Sequence, residues 1–305
     1  MGTPSVFSQG TLAVDDSDTS TIGDFDANSF RYEVESESLA MRQTHVNAHG
    51  IRATRSRVST RTRIGQEVVS GNIVLCPTPV ELDQWLPRIL GAAESTDVFA
   101  LAETVPAWSV LVDRIAKRFI YKGCYVDKAV FSWSAGQMLK MTISAEGKSE
   151  TISATSVPGT VPAINSGVPY ASGDCTFSLS ADASAAEVQE VEITIDNMLE
   201  KNRFMNSVTR AQLPSLDRLI TVRMVVPYTA DEVDLLQQTY AGAAGSVTFT
   251  LSGVSCAFAF GNLKCPSESP VISSRNGELM LNLNMTSHYV VGGARELVVT
   301  NDSAP

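Results

Sequence analysis

Val74–Leu86 reads VLCPTPVELDQWL, and Val225–Leu236 reads VVPYTADEVDLL. Each is a short apolar run, a break containing proline, and the start of a helix. In the first stretch Thr78 suits an N-cap, Pro79 the first helical position and Glu81 the N3 position, with Leu82, Trp85, Leu86 and Ile89 on one face. In the second, Thr229 caps, Glu232 stands at N3, and Val233, Leu236 and Tyr240 form the apolar face. Small residues follow both, Gly91-Ala92-Ala93 and Gly242-Ala243-Ala244. Two strand-break-helix units this alike predict one fold written twice.

Working outward, two further blocks support the duplication. Tyr32–Leu39 (YEVESESL) sets against Val191–Met198 (VEITIDNM), and Phe119–Ile143 sets against Phe260–Asn284, with Cys124 opposite Cys265 and Gly136-Gln137 opposite Gly277-Glu278. Three blocks recurring in one order are a repeat signature. Alternation of apolar and polar residues predicts strands at Gln66–Leu75, Trp108–Val112, Arg118–Tyr121, Lys128–Ser134 and Met138–Ala145. In the second half it predicts them at Ile220–Val226, Ser246–Leu251, Ala257–Phe260 and Glu278–Met285. The expected class is mainly β, antiparallel, with one short helix per repeat. The expected layout is an irregular arm over 1–28, rich in Ser, Thr, Gly and Asp; a first domain over 29–146; a soft linker over 147–186; a second domain over 187–300; and a tail over 301–305. Within the linker, Cys175–Ser180 reads as a short strand.

The chain has 305 residues and a net charge of −10, with 44% hydrophobic and 18% charged residues. That describes a globular protein with a real core. An acidic chain is a poor candidate for gripping nucleic acid through its phosphates. No apolar stretch is long enough to span a membrane as a helix, and the polar Met1–Gly10 has no basic segment of the kind that opens a secretory signal. Cys76, Cys124, Cys175, Cys256 and Cys265 are widely spaced and odd in number, which predicts unpaired, mostly buried thiols in a reducing compartment.

Enzyme signatures are absent: the sequence contains no GxGxxG, GxxxxGK[ST], GxSxG or HExxH. His45 and His49 have the spacing of two ligands on a helix, yet their segment reads as a loop with no third ligand near, so no metal is expected. The acids between Asp15 and Asp26 lack the glycine and terminal glutamate of a calcium loop. No catalytic residue and no cofactor are assigned. Trp85, Trp108 and Trp133 fall in helix or strand patterns that predict core packing, which argues against an aromatic carbohydrate-binding platform.

Two charge patterns remain. From Ser38 to Gln66 there is no acid, but there are six arginines: Arg42, Arg52, Arg55, Arg57, Arg61 and Arg63. A basic loop on an acidic body suits complementary contact with nucleic acid or with another copy of the chain. In the predicted strands, Glu33, Glu35 and Glu37 alternate with Tyr32 and Val34, and Glu190, Glu192 and Asp196 alternate with Val191, Ile193 and Ile195. Strand periodicity would give each set one carboxylate-bearing face.

Glu35–Arg57 (ESESLAMRQTHVNAHGIRATRSR), Val68–Gly91 (VVSGNIVLCPTPVELDQWLPRILG) and Val191–Ser207 (VEITIDNMLEKNRFMNS) resemble the major tail tube proteins of long-tailed bacteriophages, in a branch with two fused tube domains. The resemblance implies a duplicated tail-tube fold: two antiparallel β-sandwich or split-barrel domains, each with one short flanking helix. It implies a non-enzymatic virion protein, made in the host cytoplasm, that assembles into stacked rings of three chains with pseudo-sixfold symmetry, through which genome DNA passes without specific binding. The implied partners are the chain itself, the tape measure protein, tail-end proteins and, where the tail has one, a sheath; no membrane is involved. On that resemblance Glu33, Glu35, Glu37, Glu190, Glu192 and Asp196 would face the lumen and make it acidic, repelling the phosphate backbone so that DNA slides through during ejection, and the six arginines would stack one ring on the next. The alternatives are a distal-tail or terminator ring on the same fold, or a β-sandwich surface-binding module.

Overall fold

A computed structural model describes residues 10–48, 50, 56, 59–179, 188–204, 206–227, 239–266, 279–293 and 295–303. In the first half the strands are β1 (Thr11–Asp15), β2 (Phe30–Tyr32), β3 (Ser36–Glu37), β4 (Ala40–Asn47), β5 (Thr62–Leu75), β6 (Val98–Ala100), β7 (Trp108–Asp113), β8 (Arg118–Ser134), β9 (Lys140–Gly147) and β10 (Ser149–Ser153). Helix α1 (Pro79–Leu90) follows β5. The second half contributes β11 (Cys175–Leu179), β12 (Glu190–Asp196), β13 (Leu219–Pro227), β14 (Ala243–Leu251), β15 (Val254–Lys264), β16 (Met280–Ser287) and β17 (Leu297–Asp302). The protein is mainly β and antiparallel.

One sheet runs through both halves. Its order is β4–β5–β9–β8–β12–β13–β16, with β3 continuing the line of β4. The halves meet at β8 and β12, paired over seven residues from Glu190 opposite Ser134 to Asp196 opposite Lys128. One face of this wall is apolar, carrying Ile73, Ile143, Phe131, Ile193, Val222 and Leu283, all fully buried. Against it pack two groups of strands. On the first half lie β1, β2, β7, β10 and the leading part of β8. On the second lie β11, β14, β15, β17 and β6, with Phe258 packed at a tilt against Phe131 at 5.1 Å and Phe249 edge-on to Trp133 at 4.7 Å. Because β6 comes from the first half and pairs with β17 of the second, the halves interlock twice.

The helix forms as its sequence dictates. Thr78 and Glu81 make a reciprocal capping box, Pro79 opens the first turn, and Gly91 closes the last with φ 92°. A Cβ at Gly91 would collide with the Thr104 carbonyl, so only glycine fits. Trp85 is fully buried between Tyr32 and Trp108, the latter edge-on at 5.4 Å. Asn197, directly after β12, locks this unit to the seam. Its side-chain amide donates to Ile89 O and Val126 O at 3.1 Å each, and its backbone N–H donates to Asp127 O. The Ile89 carbonyl is one of the last four of the helix, which have no partner within it.

Several stretches differ from expectation. Thr11–Asp15, in the arm expected to be irregular, is a strand between β2 and β7 with Leu12, Ala13 and Val14 buried. The two strands expected at Arg118–Tyr121 and Lys128–Ser134 are one 17-residue strand. The two ends of the expected basic loop are strand, Ala40–Asn47 in β4 and Thr62 onward in β5. The proposed second helix from Thr229 through Leu236, and the match at Gly277-Glu278, lie outside the described residues. Asn197→Ala removes two side-chain hydrogen bonds at a buried seam and should destabilise the protein by about 2 kcal/mol. Urea unfolding monitored by tryptophan fluorescence measures this, and an unchanged midpoint would remove Asn197 from that role.

Candidate functional site

The second face of the wall is solvent-facing and built from short polar side chains: Asn72, Ser132, Ser144, Thr221, Asn282 and Asn284 among them. Cross-strand neighbours share a face, so register decides which carboxylates belong to it. Glu190, Glu192 and Asp196 do. The three share two bases. Asp196 lies opposite Lys128, Glu192 lies opposite Arg223, and Glu190 Oε2 is 3.8 Å from Arg223 Nη2. The face is therefore close to neutral rather than acidic. Alternation along one strand could not reveal this, because the compensating bases sit on the neighbouring strands.

The other expected set does not share that face. Ser36 pairs with Val74 as Glu190 pairs with Val225. The Glu35 N–H donates to Val74 O as the Gln189 N–H donates to Val225 O. The counterparts of Glu190 and Glu192 are thus Ser36 and Ser38. The sequence matching placed Glu37 opposite Asp196, but the register places it opposite Val191, on the apolar side. An odd slip in a strand comparison exchanges the two faces. The Glu37 side chain is only 5% exposed and is held by Arg114 at 2.8 Å. Glu33 and Glu35 sit at the rim by the Leu75 end of β5, exposed. Glu35 bridges Lys140 at 2.7 Å and shares a groove of about 310 Å³ with Glu190, Trp133 and Cys76.

At the opposite end, β4 and β5 continue past the last β9 pair, Val69 with Gly147, as a two-stranded ribbon. Gln43–Val46 and Arg61–Ile64 are exposed, Val46 and Ile64 included. Arg42, Arg61 and Arg63 lie on this ribbon and make no ion pair with any described residue. Arg52, Arg55 and Arg57 lie outside the described residues. A solvated two-stranded ribbon is marginal on its own. Its root is anchored: Glu67 N–H donates to Val208 O, and Arg210 reaches Glu146 at 2.6 Å, with Lys201 bridging Glu146 and Asp127.

Among the described residues no group of three or more His, Cys, Asp and Glu is placed to hold a metal ion. His45 is an exposed β4 residue opposite Ile64, and His49 lies outside the described residues. All three tryptophans are buried. No described helix is long and apolar enough to cross a membrane.

The duplicate-looking wall, its polar face and its projecting basic ribbon can be set against known families. A family model described as phage tail tube protein matches residues 4–287. The chain belongs to the phage tail tube protein family. A search of curated proteins finds no match for it. As a tail tube family member it is a structural component of the virion tail, related to proteins that associate with themselves and with other tail components.

The rim groove of this tail tube protein makes a chemical prediction. Burial, reinforced by the acceptor Glu35 Oε1 at 3.4 Å, pushes the Cys76 thiol up to about 11. The fold favours the protonated thiol, so this contribution is complete below the unfolded value of roughly 8.5 and disappears as pH rises through about 11. Alkylation of Cys76 by iodoacetamide at neutral to mildly basic pH, followed by mass spectrometry, should run at least about tenfold slower than for a free thiol. Glu35→Gln should speed it. A rate equal to the free thiol would contradict the geometry.

Proposed function

We propose that the chain forms the tail tube by closing into rings of three, each chain supplying two related domains, and that the rings stack into a conduit for genome DNA. The carrying observation is the continuous wall through β8 and β12. One tube domain has been fused to the next by ordinary antiparallel pairing, so the seam inside the chain is the pattern for seams between chains. The recurrence of β3/β4–β5–β9 as β12–β13–β16 in matching register supports the duplication. Ring closure also disposes of sheet edges that would otherwise be exposed.

On this reading the polar face is the lumen. Glu190, Glu192 and Asp196 line it, Glu33 and Glu35 stand at its rim, and Glu37 is withdrawn. The wall does not repel DNA through excess acid. Its hydroxyls and amides are uncharged, and the carboxylates mask Lys128 and Arg223, so a phosphate backbone finds no net attraction. Paired charges a few ångströms apart cancel well within the Debye length of about 8 Å at physiological salt. The ribbon with Arg42, Arg61 and Arg63 reaches an adjacent ring and pairs with acids there.

Negative-stain microscopy of the purified protein should show tubes with a threefold ring repeat. Isolated rings that never stack would favour a terminator or distal-tail role. Combining Glu190→Gln and Glu192→Gln with Asp196→Asn unmasks Lys128 and Arg223. Tubes of this variant should retain a short fluorescent oligonucleotide at about 50 mM salt and release it at about 200 mM, as counterion release dictates. Wild-type tubes should retain none, and equal retention by both would overturn the masking role.

A further inference from the structure

We infer that the outer edge of β3 and β4 is an assembly face for a second copy of the chain, and that Glu37, Arg114 and Tyr121 hold it shut in the single chain. The inference rests on the ring reading and adds a control to it. β12 is paired on both sides, by β13 and by β8. Its counterpart, Ser36–Arg42, is paired by β5 on one side. In an antiparallel strand, alternate residues turn their N–H and C=O to opposite edges. Ser38 N–H donates to Asn72 O, so Ser38 faces β5 and Leu39 faces outward. The β12 counterpart of Leu39 is Ile193, which stands in register with Phe131 of β8.

At Leu39 side chains occupy the place of that strand. The Leu39 N–H donates to Glu37 Oε2 at 3.0 Å. The Leu39 carbonyl accepts from Arg114 Nη2 and from the Tyr121 hydroxyl, each at 2.8 Å. Arg114 also donates to Glu37 Oε1 through Nε and Nη2, and its guanidinium lies 4.6 Å from the centre of the Phe119 ring. Glu37 is an inward-pointing charge on an edge strand, a device that discourages edge-to-edge pairing. Its β12 counterpart, Val191, carries no charge and lies in a strand that is fully paired. The latch satisfies both outward groups of Leu39 without a neighbour. An incoming strand must replace side-chain hydrogen bonds with backbone ones. The exchange is close to neutral in total but must begin with bond breaking, so it delays nucleation without forbidding growth.

The test follows polymerisation of the full chain by light scattering, with circular dichroism confirming that each variant is folded. Arg114→Ala and Glu37→Gln should each shorten the lag by about fivefold, the factor that corresponds to roughly 1 kcal/mol. The charge-swapped double variant Glu37→Arg with Arg114→Glu should restore a long lag. Folded single variants with an unchanged or longer lag, against a wild type that polymerises, would overturn the latch and leave the ring reading intact. Folded wild type and variants that all stay monomeric would overturn both. Variants that polymerise where wild type does not would support both.

Discussion

Everything else in this molecule depends on the backbone pairing of β12 with β8. Seven residues of the second half add to the sheet of the first. Once they do, the apolar sides of both halves form one continuous core, and the polar sides form one continuous face. Without that seam there would be two small sandwiches, each with an open edge where the other now sits. With it, on the proposed ring reading, a single chain would carry one instance of how neighbouring tube domains join.

The seam is held by more than its ladder. Asn197 ties the strand end to the last turn of α1 and to β8, so the helix that covers the core also reports on the joint. β6 crosses to pair with β17, and Arg210 and Lys201 converge on Glu146 beneath the ribbon. These contacts tie the two halves of the chain together, with a basic ribbon at one end of β5 and carboxylates at the other.

Much of the fold was legible in the sequence, for local reasons. Thr78, Pro79, Glu81 and Gly91 announce α1 because capping is decided within a few residues. Most strands in the wall alternate clearly because one face is buried. The wall's composition was less legible. Glu37 sits in a run of alternating acids, yet an edge position beside Arg114 draws it inward, and Arg114 is 77 residues away in sequence. Glu192 and Asp196 look like an acidic surface until the register brings Arg223 and Lys128 beside them. β1 was hidden because its three buried residues, Leu12, Ala13 and Val14, sit in a polar, acid-rich segment too short to show periodicity. The Arg-rich segment suggested a loop because none of its described residues from Arg42 to Arg63 is buried, whereas the structure makes part of it a ribbon exposed on both faces.

The central claim is that the polar face of the continuous wall is the inner surface of a ring of three chains. A helical reconstruction of assembled tubes by electron cryomicroscopy tests it directly. The account predicts three chains per ring, with Ser132, Glu192, Thr194 and Arg223 pointing to the axis and a strand from the neighbouring chain paired along Glu37–Met41. Six chains per ring, or that face turned to the outside of the tube, would contradict it.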